Sequence, residues 1–395
     1  MAISGGVAAN LSLLGYFKYY NFFVASTMNL MMSLGLPVDL GFIEVALPIA
    51  ISFLTFHALS YIIDVYHRKI RATRSLVDIL LYISFFPHLI AGPIVRAKAF
   101  LEQTVHRSSP ADIRLGLSVF LIVGGLFKKV VVANYLSTDF VDGVFRSPAD
   151  YSQFDLLFGM YAYGIQIYCD FSAYTDIAIG IANLLGYQFP QNFNQPYRAL
   201  SVQEFWRRWH MTLSTWLRDY LYIPLGGSRH GRVRTYVNIM ITMGFGGLWH
   251  GASVNFVIWG VLHGGALTVE RMLGVTGENG ARRRIPTVLA WLITFHFICI
   301  TWVFFRSPTL DVAQGYFAAL LFGDVSFGTT MTPLVAVMLA IGALTQIVPN
   351  RWFERFEASY DRSSLSVKVA VPFVVIFLIA VAAPGGVPPF IYFQF

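Results

Sequence analysis

The stretch PTVLAWLITFHFICITWVFF, residues 286–305, decides the fold class of this 395-residue chain. It contains no Asp, Glu, Lys or Arg, and a helix of about 20 mostly apolar residues can cross the hydrocarbon core of a bilayer. The whole chain is 56% hydrophobic and 12% charged, whereas soluble domains average about 25% charged residues. Because so few polar side chains cannot cover a water-soluble globule, the sequence predicts an integral membrane protein. An ordinary cytosolic enzyme, a disordered chain and a fibre are excluded.

Further apolar segments predict an all-α polytopic protein. Polar groups interrupt some of these segments, and we expect about 8–10 crossings plus re-entrant pieces, since one crossing needs about 20 residues. No internal repeat or low-complexity tract divides the chain, so we expect one membrane domain over residues 1–395. The clear segments are 40–63, 113–136, 154–169, 286–305, 330–348 and 367–383, and the interrupted ones are 7–27, 76–95, 171–187 and 235–272.

The distribution of Lys and Arg predicts the orientation. Basic residues gather in 66–74, 218–234, 271–284 and 351–368, and these loops are expected in the cytoplasm by the positive-inside rule. The loops 137–153 and 306–330 are poor in basic residues and are expected outside. Segment 235–272 then begins and ends on one side, so it must form a hairpin or re-entrant piece, and so must 76–95. The net charge of +7 is interpreted as topology rather than as affinity for nucleic acid.

No motif indicates a resident metal or cofactor. Cys169 and Cys299 lie far apart in apolar runs, without the spacing of a disulfide framework or a metal site. The chain also lacks a Walker loop, a GxGxxG or GxSxG motif, an HExxH helix and a CxxC pair.

His250 is the first candidate catalytic residue. It lies between Gly247 and Gly251 in a stretch with almost no other ionisable group, and glycines allow a ligand or another backbone to approach closely. A neutral imidazole can accept the proton of a hydroxyl at ordinary pH. The alternative is a histidine that only hydrogen-bonds neighbouring helices, but its glycine neighbours favour the catalytic interpretation.

His210 lies in the stretch WRRWHMTLSTWLRD, residues 206–219. If this stretch is one helix, Trp206, His210 and Leu213 share a face. Its arginines are suited to binding a phosphate or a carboxylate. Composition alone favours the alternative for these arginines, which is anchoring at lipid headgroups.

Asp170 and Asp176 are six residues apart, about 240° around a helix, so they are not expected to form a carboxylate dyad. We expect each to pair with Arg, His or a backbone donor in a network that orients helices. Small residues such as Ala173 and Gly180 allow close helix packing there. His263 follows His250 by 13 residues and is expected at most to support it.

Three blocks then resemble the membrane-bound O-acyltransferase family, in particular its bacterial branch that modifies alginate and lipoteichoic acid. The resemblance covers nearly the whole chain and includes both histidine blocks. The C-terminal PFIYFQF, residues 389–395, is also similar to alginate-acetylating members. The blocks are FFPHLIAGPIVR at 85–96, the stretch YCDFSAYTD through YIPLGG at 168–227, and GGLWHGASVNFVIWGVLHG at 246–264.

The resemblance implies a ring of helices around a central funnel, with His250 catalytic and His210 beside it. His210 would polarise the thioester carbonyl or share the proton path of His250. The catalytic core is expected within residues 160–265. Candidate donor-binding or supporting residues are Trp206, Arg207, Arg208, Arg218, Trp249, Asn255, His263, Asp170 and Asp176. Because LSLLGYFKYYNFF, from Leu11, resembles an internal stretch of the family, the family's usual first helices are expected to be missing.

The implied activity is O-acetyl transfer across the bacterial cytoplasmic membrane. The donor would be acetyl-CoA or an acyl-carrier thioester, and the acceptor an extracytoplasmic polysaccharide such as alginate, reached with a periplasmic partner protein. Two other hypotheses stay open: a polysaccharide or lipid-precursor transporter or flippase, and a structural scaffold for a secretion complex. Against a transporter, the sequence shows no pair of broken helices repeated in its two halves.

Overall fold

The computed structural model describes residues 2–44, 48, 50–105, 109, 112–275, 286–326 and 330–385. Within these ranges the chain forms helices and loops and contains no β-strand. The helices are α1 (Ala2–Leu14), α2 (Tyr20–Ser33), α3 (Ile51–Tyr66), α4 (Leu76–Ser84), α5 (Ala97–Val105), α6 (Leu115–Leu126), α7 (Asn134–Leu136), α8 (Asp142–Arg146), α9 (Gln153–Leu184), α10 (Val202–Trp206), α11 (Met211–Leu217), α12 (Gly231–His250), α13 (Val254–Met272), α14 (Thr287–Arg306), α15 (Leu310–Phe322), α16 (Pro333–Leu344), α17 (Asn350–Asp361) and α18 (Leu365–Ala382).

Three of these helical stretches are long and apolar enough to cross a membrane: residues 115–146, α14 and α18. The first runs through α6, α7 and α8 without a break, because π-helical turns at Phe127–Ala133 and Ser137–Val141 join them. Shorter apolar helices are α3, α15 and α16. The outer helix α18 buries only Ile379 and exposes large side chains such as Phe373, as a helix that faces lipid would. The predicted all-α polytopic class is confirmed.

Helix α9 is the central element, and most of its 32 residues are buried. The prediction of separate segments at 154–169 and 171–187 is wrong, because the helix continues through Asp170. An ion pair with Lys129 compensates that carboxylate, so the charge does not force a break. Small residues let α6 approach closely: a Cβ added to Gly125 would lie 2.8 Å from the carbonyl oxygen of Ala173.

Segment 235–272 forms a helical hairpin of α12 and α13, as the charge pattern predicts. Two glycines sit where the helices touch. A Cβ on Gly247 would collide with the carbonyl oxygen of Phe256, and one on Gly260 with that of Met243. The hairpin places the last residue of α12, His250, at its turn.

Segment 76–95 is interrupted as predicted, since α4 ends at Ser84 before Pro87 and a single 3₁₀ turn covers Phe86–His88. The end of the predicted basic loop 271–284 and the C-terminal 389–395 lie outside the described residues.

Candidate active site

The imidazole of His250 is buried, with 5% of the residue exposed, inside a cage of aromatic rings. Its ring centroid lies 5.0 Å from that of Trp249, 5.2 Å from Trp259 and 5.1 Å from Phe305. The next residue, Gly251, has no room for a side chain unless the ring of Phe256 moves, because an added Cβ would collide with that ring. The site is therefore shaped closely around the end of α12.

Two tryptophans and one lysine link His250 to its neighbours. The ring centroid of Trp249 lies 5.0 Å from that of His250 and 6.2 Å from that of His210, and the ring centroid of Trp259 lies 5.2 Å from His250 and 4.6 Å from His263. Lys18 Nζ lies 3.4 Å from the carbonyl oxygen of His250. The structure thus brings together the two predicted catalytic histidines and the predicted supporting one. His250 and His263 do not share one helix, since the chain leaves the helical conformation at Gly251 and re-enters it at Val254. Lys18, from the N-terminal helices, is a neighbour that sequence reasoning does not assign to the site.

His210 is fully buried and adopts a left-handed backbone conformation, with φ 42° and ψ 53°. The stretch 206–219 is not one helix, because α10 ends at Trp206 and α11 begins at Met211. Trp206 and His210 therefore do not share a helix face. The conformation is unusual for a residue other than glycine, so the surrounding contacts must hold it.

Asn192 supplies those contacts. Its Oδ1 accepts hydrogen bonds from the Thr212 backbone N–H at 3.0 Å and from the Thr212 hydroxyl at 2.8 Å, and it lies 3.2 Å from His210 Nδ1. Because this oxygen can only accept, Nδ1 must carry the proton, and Nε2 keeps its lone pair. Among the described residues, Nε2 has no hydrogen-bond partner although it is buried. It is a buried acceptor available to a substrate.

Sequence patterns do not single out Asn192. It belongs to a loop, QNFNQ at residues 191–195, where no helical or strand period marks which amide turns inward. The only signal is a cluster of amides between a long apolar helix and the His210 block.

A cavity of about 440 Å³ opens near α10 and α11. Arg207, Arg218 and Arg271 line it together with the ring of Trp206. The first two arginines are predicted donor-binding residues, whereas Arg271 appears in the sequence only as part of a basic loop. Three guanidinium groups around one cavity favour an anionic ligand such as a phosphate.

Aromatic side chains lie between this cavity and His250. Trp206 Nε1 donates a hydrogen bond to His263 Nδ1 at 3.2 Å, and His263 Nε2 lies 3.0 Å from the Thr301 hydroxyl. Trp259 then bridges the two sides, with its ring centroid 5.7 Å from Trp206 and 5.2 Å from His250. The predicted supporting residues Trp206 and His263 thus connect the cavity to the caged imidazole.

Arg208 does not line the cavity. It forms an ion pair with Glu204 at 2.9 Å and donates to the carbonyl oxygen of Asn194. The structure gives no support to the predicted role of Arg208 in donor binding, because these contacts tie its side chain to α10 and to the loop before it.

Arg218 shares its charge with a neighbour, since its Nε lies 2.7 Å from Asp219, which also pairs with Arg96 at 2.9 Å. Partial burial opposes ionisation of Asp219. The hydrogen bond and charge of Arg218, together with Arg96, outweigh this effect and hold the pKa of Asp219 below its usual value. Arg207 and Arg271 have no acidic partner among the described ion pairs.

The two aspartates form separate ion pairs, with Asp170 bonded to Lys129 at 2.8 Å and Asp176 to Lys128 at 2.5 Å. The expected absence of a dyad agrees with this arrangement. The partner in each of these two pairs is a lysine, which the sequence analysis did not name, because the π-helical turn after α6 presents two consecutive lysines to α9. Neither aspartate lines the cavity, and their ion pairs join α9 to the π-helical turn after α6.

The two remaining predicted residues hold the elements around His250. Asn255 donates a hydrogen bond from Nδ2 to the carbonyl oxygen of Ser307 at 2.8 Å, which ties the start of α13 to the end of α14. Trp249 packs against Phe53 and Phe56 of α3, with ring centroids 5.5 and 5.1 Å apart.

Comparison with known proteins identifies the family of the chain. Residues 67–307, which include both catalytic candidates, match the membrane-bound O-acyltransferase family. The chain is 45% identical, over 82% of its length, to a probable alginate O-acetylase of Pseudomonas aeruginosa, and covers 60% of that protein. It is 40% identical to a peptidoglycan O-acetyltransferase of Helicobacter pylori, over 78% of this chain and 62% of that one.

A more distant relative is a teichoic acid D-alanyltransferase of Bacillus subtilis, 27% identical over 66% of this chain and 68% of that one. The chain spans about 60% of the length of the alginate and peptidoglycan relatives. The match across more than half of the chain, with the two histidines inside it, leads to one conclusion: this chain belongs to the membrane-bound O-acyltransferase family.

Proposed function

We propose that this chain carries the catalytic core of a membrane O-acetyltransferase. It would move an acetyl group from a cytoplasmic thioester, acetyl-CoA or an acyl carrier, to a hydroxyl group of an extracytoplasmic polysaccharide. The observation that carries the proposal is the buried Nε2 of His210, which keeps its lone pair, together with the caged imidazole of His250 on the other side of Trp249. The named activities of the relatives, alginate and peptidoglycan O-acetylation, support the acetyl group and the class of acceptor.

The chemistry follows from a neutral His250. Its imidazole takes the proton of the acceptor hydroxyl while the oxygen attacks the thioester carbonyl carbon and forms the new C–O bond. The C–S bond then breaks, and the leaving thiolate takes the proton back from the imidazolium. The products are an O-acetyl ester, a free thiol and a neutral His250. Water excluded by the aromatic cage cannot compete for the acetyl group.

His210 shares the proton path in this scheme. A lone pair on Nε2 can accept a hydrogen bond from the acceptor hydroxyl, whereas polarising a carbonyl would require a proton on that atom. The hydrogen bond from Nδ1 to Asn192 therefore favours the proton-path role over the polarising role.

The arginine-lined cavity is the proposed donor site. Phosphates of a CoA-type donor would bind Arg207, Arg218 and Arg271, and the acetyl thioester would reach His250 past Trp206 and Trp259. We further propose that residues 160–265 form the catalytic core of one membrane domain in the bacterial cytoplasmic membrane. A periplasmic partner would pass or present the polysaccharide.

The test uses membranes that contain the full chain, acetyl-CoA labelled in the acetyl group, and alginate or peptidoglycan as acceptor. We expect label on the polymer or on an added periplasmic partner. His250→Ala should lower the rate about 10²–10⁴-fold, the usual contribution of a general base. His67→Ala, which changes an exposed residue at the end of α3, is the matched control and should leave the rate unchanged.

Two results would contradict the proposal. If His250→Ala transferred acetyl groups at the wild-type rate, His250 could not be the general base. Movement of polymer or lipid precursor without any transfer of label would favour the transporter instead.

A further inference from the structure

We propose that Lys18 and Tyr19 are positioning residues that hold the C-terminal end of α12, and with it the imidazole of His250, in place for acyl transfer. This proposal rests on the acetyltransferase function proposed above. It goes further, because it gives the N-terminal helices, far outside the histidine blocks, a part in the reaction.

Both side chains bond to the end of α12. Lys18 Nζ donates to the carbonyl oxygen of Trp249 at 2.6 Å and to that of His250 at 3.4 Å. The Tyr19 hydroxyl donates to the carbonyl oxygen of Leu248 at 2.9 Å. Three consecutive carbonyl groups, ending at His250 itself, therefore receive a donor from one short segment.

These carbonyl groups need outside donors. The last four C=O groups of a helix have no partner within it, and at Gly251 the chain turns away in an extended conformation, with φ −165° and ψ 152°. The N–H groups that usually fold back in a left-handed cap therefore leave the helix end. An ammonium group is also favourable at the negative end of the helix dipole.

The contacts of Lys18 use every hydrogen-bond donor of its ammonium group. An ammonium has three protons, and the third contact of Nζ is the Ser52 hydroxyl at 3.2 Å on α3. All three donors are thereby engaged, two on α12 and one on α3. A lysine in a predicted membrane segment is expensive and is usually kept for a function.

The local backbone supports this interpretation. Lys18 and Tyr19 lie in the π-helical turn Gly15–Tyr19 between α1 and α2, and such turns are frequent at functional sites. Two adjacent residues reach the same helix end from this turn. Their targets are the last three carbonyl groups of α12, and the contact of Lys18 includes the backbone of His250 itself.

The test compares four variants of the full chain in nanodiscs: Lys18→Met, Lys18→Arg, Tyr19→Phe and Lys98→Met. Lys98 is an exposed lysine whose one described ion pair, to Glu102, spans 4.0 Å, so Lys98→Met is the matched control. One measurement is acetyl transfer, as kcat and as KM for acetyl-CoA. The other is hydrogen–deuterium exchange of the peptide over residues 245–253, followed by mass spectrometry, which reports the order of the helix end without needing activity.

We expect Lys18→Met to lower kcat about 10- to 100-fold, as for the loss of a charged hydrogen bond, with KM within about twofold. Exchange over residues 245–253 should become faster. Lys18→Arg should restore most of both properties, and Tyr19→Phe should lower kcat about 2- to 10-fold because one neutral hydrogen bond is lost. Lys98→Met should match the wild type.

Unchanged exchange in Lys18→Met, unchanged kcat in Lys18→Met, or an equal loss in Lys18→Arg would overturn the proposal. Tyr19→Phe provides the same test if Lys18→Met does not accumulate in membranes. Failure of the proposed function is a separate result, which appears as full transfer by His250→Ala. The exchange measurement would still test whether Lys18 and Tyr19 hold the end of α12.

Discussion

The backbone of His210 is strained, and Asn192 holds it. A residue other than glycine in the left-handed region costs of order 1 kcal/mol or more and persists only where its surroundings impose it. Here one amide oxygen binds the Thr212 N–H, the Thr212 hydroxyl and His210 Nδ1. The same contact therefore fixes the backbone and the tautomer of His210.

Replacing Asn192 by alanine should remove both effects. We expect a loss of about 1–3 kcal/mol in stability, since a buried polar group loses its partner, and a fall in kcat of about 10- to 100-fold. Thermal unfolding in detergent and acetyl transfer measure the two. Asn194→Ala is the control, because Asn194 belongs to the same loop and its side chain makes no described hydrogen bond. An equal loss of activity in that variant would argue against a specific role for Asn192.

At this scale the sequence singles out two buried histidines but does not predict their surroundings. His210 and His250 stand out because ionisable groups are rare in apolar segments. The break in the helix at His210 is imposed by Asn192, which is 18 residues away in the chain. A local pattern such as WRRWHMTLSTW is helical by itself, and no local signal reports a bond from a distant loop.

Among the elements, the hairpin of α12 and α13 governs where His250 lies. Gly247 and Gly260 bring the two backbones into direct contact, the close approach that small residues allow between membrane helices. The charge pattern predicts that this segment turns back, because both ends carry basic residues. It does not predict where the turn falls.

Gly247→Ala should disrupt the packing between α12 and α13. The added methyl group would collide with a backbone oxygen of α13, which cannot rotate away, so we expect a loss of about 1–3 kcal/mol from overpacking and a large fall in acetyl transfer as His250 moves. Gly244→Ala is a sharp control, since a Cβ there has nothing within 4 Å and alanine favours the helix. Melting temperatures and transfer rates of the two variants should diverge; equal behaviour would show that the glycine contact does not position the site.

Across the whole molecule, the basic side chains fall into two groups with different surroundings. Lys128 and Lys129 pair with aspartates of α9 and orient helices, whereas Arg207 and Arg271 remain on a cavity without described acidic partners. Composition identifies the basic residues as markers of cytoplasmic loops but cannot distinguish these two uses. That distinction depends on which helices pack together.

The two arginines on the cavity give the last prediction. If they bind donor phosphates, Arg207→Gln with Arg271→Gln should raise KM for acetyl-CoA roughly 3- to 30-fold with little change in kcat, since each exposed ionic contact contributes about 0.2–1 kcal/mol. The effect should weaken at high salt. It should vanish with acetyl-pantetheine, which lacks the phosphates. Arg232→Gln, an exposed arginine of the same basic region that does not line the cavity, should behave as the wild type. Equal KM changes for both donors would show that these arginines do not bind the donor phosphates, and would contradict the proposed donor site.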